Sequence, residues 1–133
     1  MTVLVDTSAW SALLRRRSPD SRTAPAVSEL VSAGSAAIIG PIRQEILTGI
    51  RSREQFDALV RILRAFPDLG LAPEDFECAA EFSNLCRASG IQGGPTDFLI
   101  CAVASRHDIP ILTTDEDFSR YAKLLPVRLW PVA

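Results

Sequence analysis

The chain opens with an apolar run that stops on a carboxylate and turns at once into a helix-forming segment: Thr2-Val3-Leu4-Val5-Asp6-Thr7-Ser8, then Ala9-Trp10-Ser11-Ala12-Leu13-Leu14. A strand feeding straight into a helix is the first half of a β-α unit, and repetition of that unit predicts a parallel sheet with helices on both sides. In such a sheet ligands gather beyond the carboxyl ends of the strands, which is where Asp6 falls. Asp6 therefore has two readings. It is a functional carboxylate, or it is the ordinary N-cap of the helix that follows.

The same alternation continues down the chain. Thr7 to about Arg16 reads as a helix with Ala9, Trp10 and Leu13 toward the core, and Ser18-Pro19-Asp20-Ser21 breaks it. Ala24–Ala33 forms the next helix, stopped by Gly34, and Ala36–Ile39 is a short strand, apolar on both faces as buried parallel strands are. Pro41 suits the first turn of a helix from Ile42 to about Ile50. Ser52 starts an amphipathic helix with Phe56, Leu59, Val60, Leu63 and Phe66 in register, and Leu69-Gly70-Leu71 is a brief strand candidate. A long helix opens at Pro73, and a nearly all-apolar and hence central one at Phe98. Ile109–Thr113 and Val127–Trp130 are the last strand candidates. The fold class expected is a three-layer α/β/α sandwich around a mostly parallel sheet of four to five strands.

At 133 residues, with 47% hydrophobic and 23% charged, the chain has the size and composition of one globular domain, and no repeat or linker divides residues 1–133. No stretch approaches the roughly 20 apolar residues of a membrane span, and no leader pattern is present, so a soluble cytoplasmic protein is expected. Cys78, Cys86 and Cys101 are odd in number and make no C-x-x-C pair, which predicts reduced core residues. The net charge of -2 exerts no global pull on nucleic acid. The cations are nearly all Arg, whose planar fork suits phosphate. Arg15-Arg16-Arg17, Arg43, Arg51 and Arg53 are thus candidate phosphate contacts, the triple Arg having a second reading as a solvated helix end.

Acids stand at four places that a parallel sheet would bring to one edge: Asp6 after the first strand, Asp115 and Asp117 after a later one, Asp97 in the first turn of the central helix, and Glu45 beside a buried stripe. Each has a structural reading as a cap, a first-turn acid or a surface residue. Those readings do not account for convergence. Carboxylates drawn together raise each other's pKa unless a cation neutralises them, and an all-oxygen set without His or Cys selects Mg²⁺ or Mn²⁺. Mg²⁺ commonly bridges carboxylates to phosphate, which points to phosphodiester or phosphoryl chemistry.

The strand ending in Asp6-Thr7-Ser8, a helical Glu45, Asp97 opening an Ala-containing helix, and Ile111-Leu112-Thr113-Thr114-Asp115-Glu116-Asp117-Phe118 together resemble the PIN-domain ribonucleases. In order and size the chain is most similar to the VapC-type toxins of bacterial toxin–antitoxin pairs. The resemblance implies a metal-dependent endoribonuclease with Asp6, Glu45, Asp97 and Asp115 as its acidic site and Asp117 as a fifth member. Ser8 and Thr113 match positions of small polar groups around those acids. It also implies a homodimer and a small antitoxin whose C-terminal segment brings an Arg to the carboxylates.

Two rival classes are a phosphotransfer or phosphatase domain and a catalytically silent metal- and RNA-binding module. The first normally needs a late Lys at a strand end, and Lys123 is the chain's sole Lys. His107 invites a general-base role, but it closes the helix that Asp97 opens, and so is carried away from the site.

Overall fold

A computed structural model describes residues 1–15 and 22–132, so Arg16 and Arg17 lie outside the described residues. Three parallel strands form the sheet in the order β2-β1-β3: β1 (Val3–Val5), β2 (Ala36–Ala37) and β3 (Ile111–Leu112). The register sets Val3 opposite Ala36 and Leu4 opposite both Ala37 and Ile111. β1 is central and wholly buried.

The expected fourth and fifth strands are reduced to single parallel bridges, Ile38 to Asp68 on one edge and Ile111 to Leu129 on the other. Proline explains the shortening, since Pro67 precedes the first bridge, and Pro126 and Pro131 bracket the second. None of them can donate to a ladder. Among the described residues the sheet is thus three strands wide in regular pairing, with one isolated bridge at each side.

Among the described residues seven helices surround it: α1 (Thr7–Leu14), α2 (Thr23–Ser32), α3 (Gly40–Leu47), α4 (Arg53–Leu63), α5 (Pro73–Ala88), α6 (Pro95–His107) and α7 (Asp117–Leu124). From β1 the chain winds outward through α1 and α2 to β2, then through α3 and α4 to Asp68. It next crosses back by α5 and α6 to β3, on the other side of β1. Right-handed crossovers place the first four helices on one face and the last three on the other. The packing agrees: α1 rests on α2 and α3, and α3 on α4, while α5 rests on α6 and α7. The direction of winding reverses between β1 and β3, and a crevice opens beyond the strand ends at such a point.

Local chemistry accounts for the element ends. Pro41, Pro73 and Pro95 occupy first turns, Ser52 caps α4 by accepting from the Gln55 N–H, and Gly34 takes φ +70 just after α2. In α1 the buried residues are Ala9, Trp10 and Ala12, and Leu13, expected toward the core, is only half-buried. Trp10 fills the space beside Phe66, ring centroids 5.1 Å apart. From Phe98 to Ala104 every residue of α6 is buried, as an all-apolar helix requires. Cys86 and Cys101 are buried free thiols and Cys78 a half-buried one.

The α5–α6 pair is fastened by Asp75, one of the acids that open α5. Asp75 is 2% exposed, accepts from the Ala72 N–H at 2.8 Å to cap α5, and accepts from Arg106 Nε at 2.8 Å near the end of α6. Removing it leaves a guanidinium and a backbone N–H without that partner. Asp75→Ala is expected to lower stability by about 2 kcal/mol in urea denaturation; an unchanged midpoint would show that the pair does not fasten the helices.

Candidate active site

Asp6 is the first residue to leave the sheet. Its N–H still donates to the Leu112 carbonyl at 2.9 Å, while its own carbonyl already accepts the Ala9 and Trp10 N–H groups that begin α1. The residue is 6% exposed, and a carboxylate so far from water needs donors. It has three: the Thr7 N–H on Oδ1 at 2.7 Å, and the hydroxyls of Ser8 (2.9 Å) and Thr113 (2.7 Å) on Oδ2. A carboxylate offers about four acceptor positions, so one remains open. The cap reading and the site reading of Asp6 are therefore compatible.

The two hydroxyls that satisfy Asp6 also fix the turn after β3. Thr113 Oγ1 accepts the Asp115 N–H at 3.0 Å, and Ser8 Oγ accepts the Thr114 N–H at 3.0 Å. Asp115 Oδ1 in turn accepts the Asp117 N–H at 2.9 Å, where α7 begins. Each bond carries position one step further, from β1 through β3 to α7.

Asp97 arrives from the other side, as the third residue of α6 after Gly94 at the cap and Pro95. Its Oδ2 accepts the Tyr121 hydroxyl at 2.7 Å. Asp97, Asp115 and Asp117 each place a carboxylate oxygen within 4.8 Å of the others. Burial raises the Asp97 pKa, the Tyr121 hydrogen bond works against that rise, and the charges of Asp6, Asp115 and Asp117 add to it. The Tyr121 phenol is itself pushed up, first by burial and then by its bond to Asp97, so at neutral pH it is a donor. Asp97 and Asp117 lie in the first turns of α6 and α7, whose dipoles favour negative charge. Arg120 reaches Asp117 at 3.3 Å from a mostly exposed position, which is weak compensation. An all-oxygen cluster with this much unbalanced charge fits a hard divalent cation.

The other sequence candidates fall at varying removes. Glu45, exposed on α3, accepts from Thr7 Oγ1 at 3.2 Å, which ties it to the end of β1 but outside the Asp97–Asp115–Asp117 group. Arg43 is held by Asp68 (2.8 and 3.0 Å) and the Phe66 carbonyl (2.6 Å), so its fork anchors α3 to the sheet edge. Arg15 is the C-cap of α1, at the opposite pole of that helix from Asp6. Arg51 is exposed, and Arg53 is exposed beside Asp57 and over the Phe56 ring. His107 is exposed at the last residue of α6, and Lys123 is exposed on the last turn of α7. Tyr121 escaped the sequence reading. Its only signal is its place one helical turn after Asp117, on the same face.

A buried strand end, a reversed winding direction and clustered acids define a doubly wound domain with a carboxylate site. The sequence pattern of the PIN domain family matches residues 3–124, and the chain belongs to that family. Among curated relatives, Ribonuclease VapC11 of Mycobacterium tuberculosis is 33% identical over 126 residues, 92% of each chain. Solved structures with the same fold include FitAcB from Neisseria gonorrhoeae, with a TM-score of 0.77 at 18% identity over 98% of this chain and 97% of that one. VapBC2 from Rickettsia felis, bound to a DNA fragment from its promoter, has a TM-score of 0.77 at 19% identity over 98% and 100%.

The raised Asp97 pKa has a consequence for stability. Between the unfolded and the raised folded pKa the native state binds more protons, so stability falls as pH rises through that window and stays lower above it. Without divalent ions, Asp97→Asn is expected to melt at or above the wild-type temperature at pH 7, and the difference should shrink on acidification. A variant that melts lower at pH 7 than the wild type would contradict this reading.

Proposed function

We propose that this protein is a Mg²⁺- or Mn²⁺-dependent endoribonuclease, the toxin member of a toxin–antitoxin pair. The observation that carries the reading is the Asp97–Asp115–Asp117 cluster beside buried Asp6 at the reversal of the sheet. The near full-length likeness to a VapC ribonuclease supports it.

In this reading Asp6, Asp97, Asp115 and Asp117 hold the metal, with Glu45 at the edge of the site. A divalent ion held there would supply a nucleophilic water at neutral pH and offset charge on the scissile phosphate. The protein's own contribution is placement. Ser8 and Thr113 orient Asp6 without occupying its last acceptor position, and they hold the Asp115 turn against the strand ends. The helix N-termini hold Asp97 and Asp117 close together despite their repulsion. Arg15, Arg51 and Arg53 are proposed contacts for the RNA backbone. Arg43, committed to Asp68, is left out of that set.

The proposed partners are RNA, a second copy of the chain, and a small antitoxin that brings an Arg to the carboxylates. Toxin–antitoxin complexes among proteins of this fold support the last of these. No helix among the described residues is long and apolar enough to cross a membrane.

Purified protein incubated with structured RNA is expected to cleave with Mn²⁺ and to stop with EDTA. Asp6→Asn and Asp97→Asn should each lower the rate at least about a hundredfold while the circular dichroism spectrum is kept. Undiminished Mn²⁺-dependent cleavage by both variants would refute the assignment. Binding of RNA by the catalytically inactive Asp97→Asn protein should weaken steeply as salt rises, and substitution of Arg15, Arg51 and Arg53 together should flatten that dependence. A salt response unaltered by the triple substitution would remove these residues from the RNA path.

A further inference from the structure

The Asp97 carboxylate is fixed from outside the acidic cluster. Tyr121 is fully buried, its ring packs against Phe98 and Phe118 with centroids 5.0 and 5.2 Å away, and its hydroxyl donates to Asp97 Oδ2 at 2.7 Å. Opposite the hydroxyl stands Gly93. A Cβ there would overlap the phenol oxygen and come within 2.8 Å of Cζ, so this glycine serves to leave room for the ring.

We propose that Tyr121, admitted by Gly93, is a positioning residue that sets the orientation of the Asp97 carboxylate for the divalent ion. This inference rests on the ribonuclease reading above. The last torsion of an Asp side chain is broad and roughly twofold, so a carboxylate with no second contact turns freely. The Tyr121 hydrogen bond removes that freedom and takes one acceptor position on Oδ2, which leaves the remaining positions for the cation. Groups that orient metal ligands in this way commonly contribute about ten- to a hundredfold to metal affinity.

The arrangement also couples two helices. Asp117 and Tyr121 are one turn apart on α7, so a single helix supplies one acid of the cluster and the donor that orients another on α6. Displacement of α7 would disturb both at once.

The test compares the 133-residue wild type with Tyr121→Phe, Gly93→Ala and Asp97→Asn. Mn²⁺ affinity is measured without RNA by electron paramagnetic resonance, and RNA cleavage is followed across Mn²⁺ concentrations. Tyr121→Phe deletes the hydroxyl, and Gly93→Ala displaces it while the phenol stays intact, so either folded variant decides the matter. Both are expected to bind Mn²⁺ about ten- to a hundredfold more weakly. At limiting Mn²⁺ they should lose kcat with KM for RNA unchanged, and excess Mn²⁺ should restore the rate. If the wild type binds Mn²⁺, Asp97→Asn does not, and both variants match the wild type, the role of Tyr121 is overturned and the ribonuclease reading stands. A wild type that neither binds Mn²⁺ nor cleaves RNA overturns both.

Discussion

The structure depends on supplying donors to one carboxylate buried at the edge of an apolar core. Asp6 follows a strand with no exposed residue, and burial of an ionised group without partners is far more costly than any single contact in a domain of this size can offset. Its three donors come from the start of α1 and from the end of β3, two segments more than a hundred residues apart in sequence. The central sheet brings them within reach. In return, the same hydroxyls define where β3 ends and where α7 begins, so the folding requirement and the construction of the site are one set of bonds.

From that anchor the acids form a graded series. Asp6 accepts three hydrogen bonds, Asp97 is half-buried with a single phenol donor, and Asp115 and Asp117 stand on a turn stabilised by their own backbone. Burial pushes the Asp97 pKa upward, and the neighbouring charges of Asp6, Asp115 and Asp117 add to that rise. Acids gathered in this way repel one another, and a hard cation would relieve that repulsion. In the proposed nuclease that same relief retains the ion.

Elsewhere the molecule uses charge structurally. Arg43 ties α3 to Asp68 at one sheet edge, and Arg106 ties α6 to Asp75 under α5. Both pairs draw a guanidinium toward a specific carboxylate with short, directed bonds, and neither joins the acidic cluster. Among the described residues, Arg43 and Arg106 are thus given to fastening the fold, whereas Arg51 and Arg53 face solvent.

Much of this was legible in the linear order of residues, because periodicity, proline and glycine placement and the Asp6-Thr7-Ser8 terminus are local properties that set helices, strand cores and the α/β class directly. The motif that closes β3, Thr113 to Phe118, likewise announced its acids. What local pattern does not carry is distance across the sheet. The pairing of Asp75 with Arg106, the withdrawal of Arg43, the edge strands cut short beside Pro67 and Pro131, and the union of Tyr121 with Asp97 past Gly93 all join separate segments. Only the tertiary packing could decide them, since a hydrogen bond or an ion pair is settled by angstroms in space, and sequence records only who is next to whom along the chain.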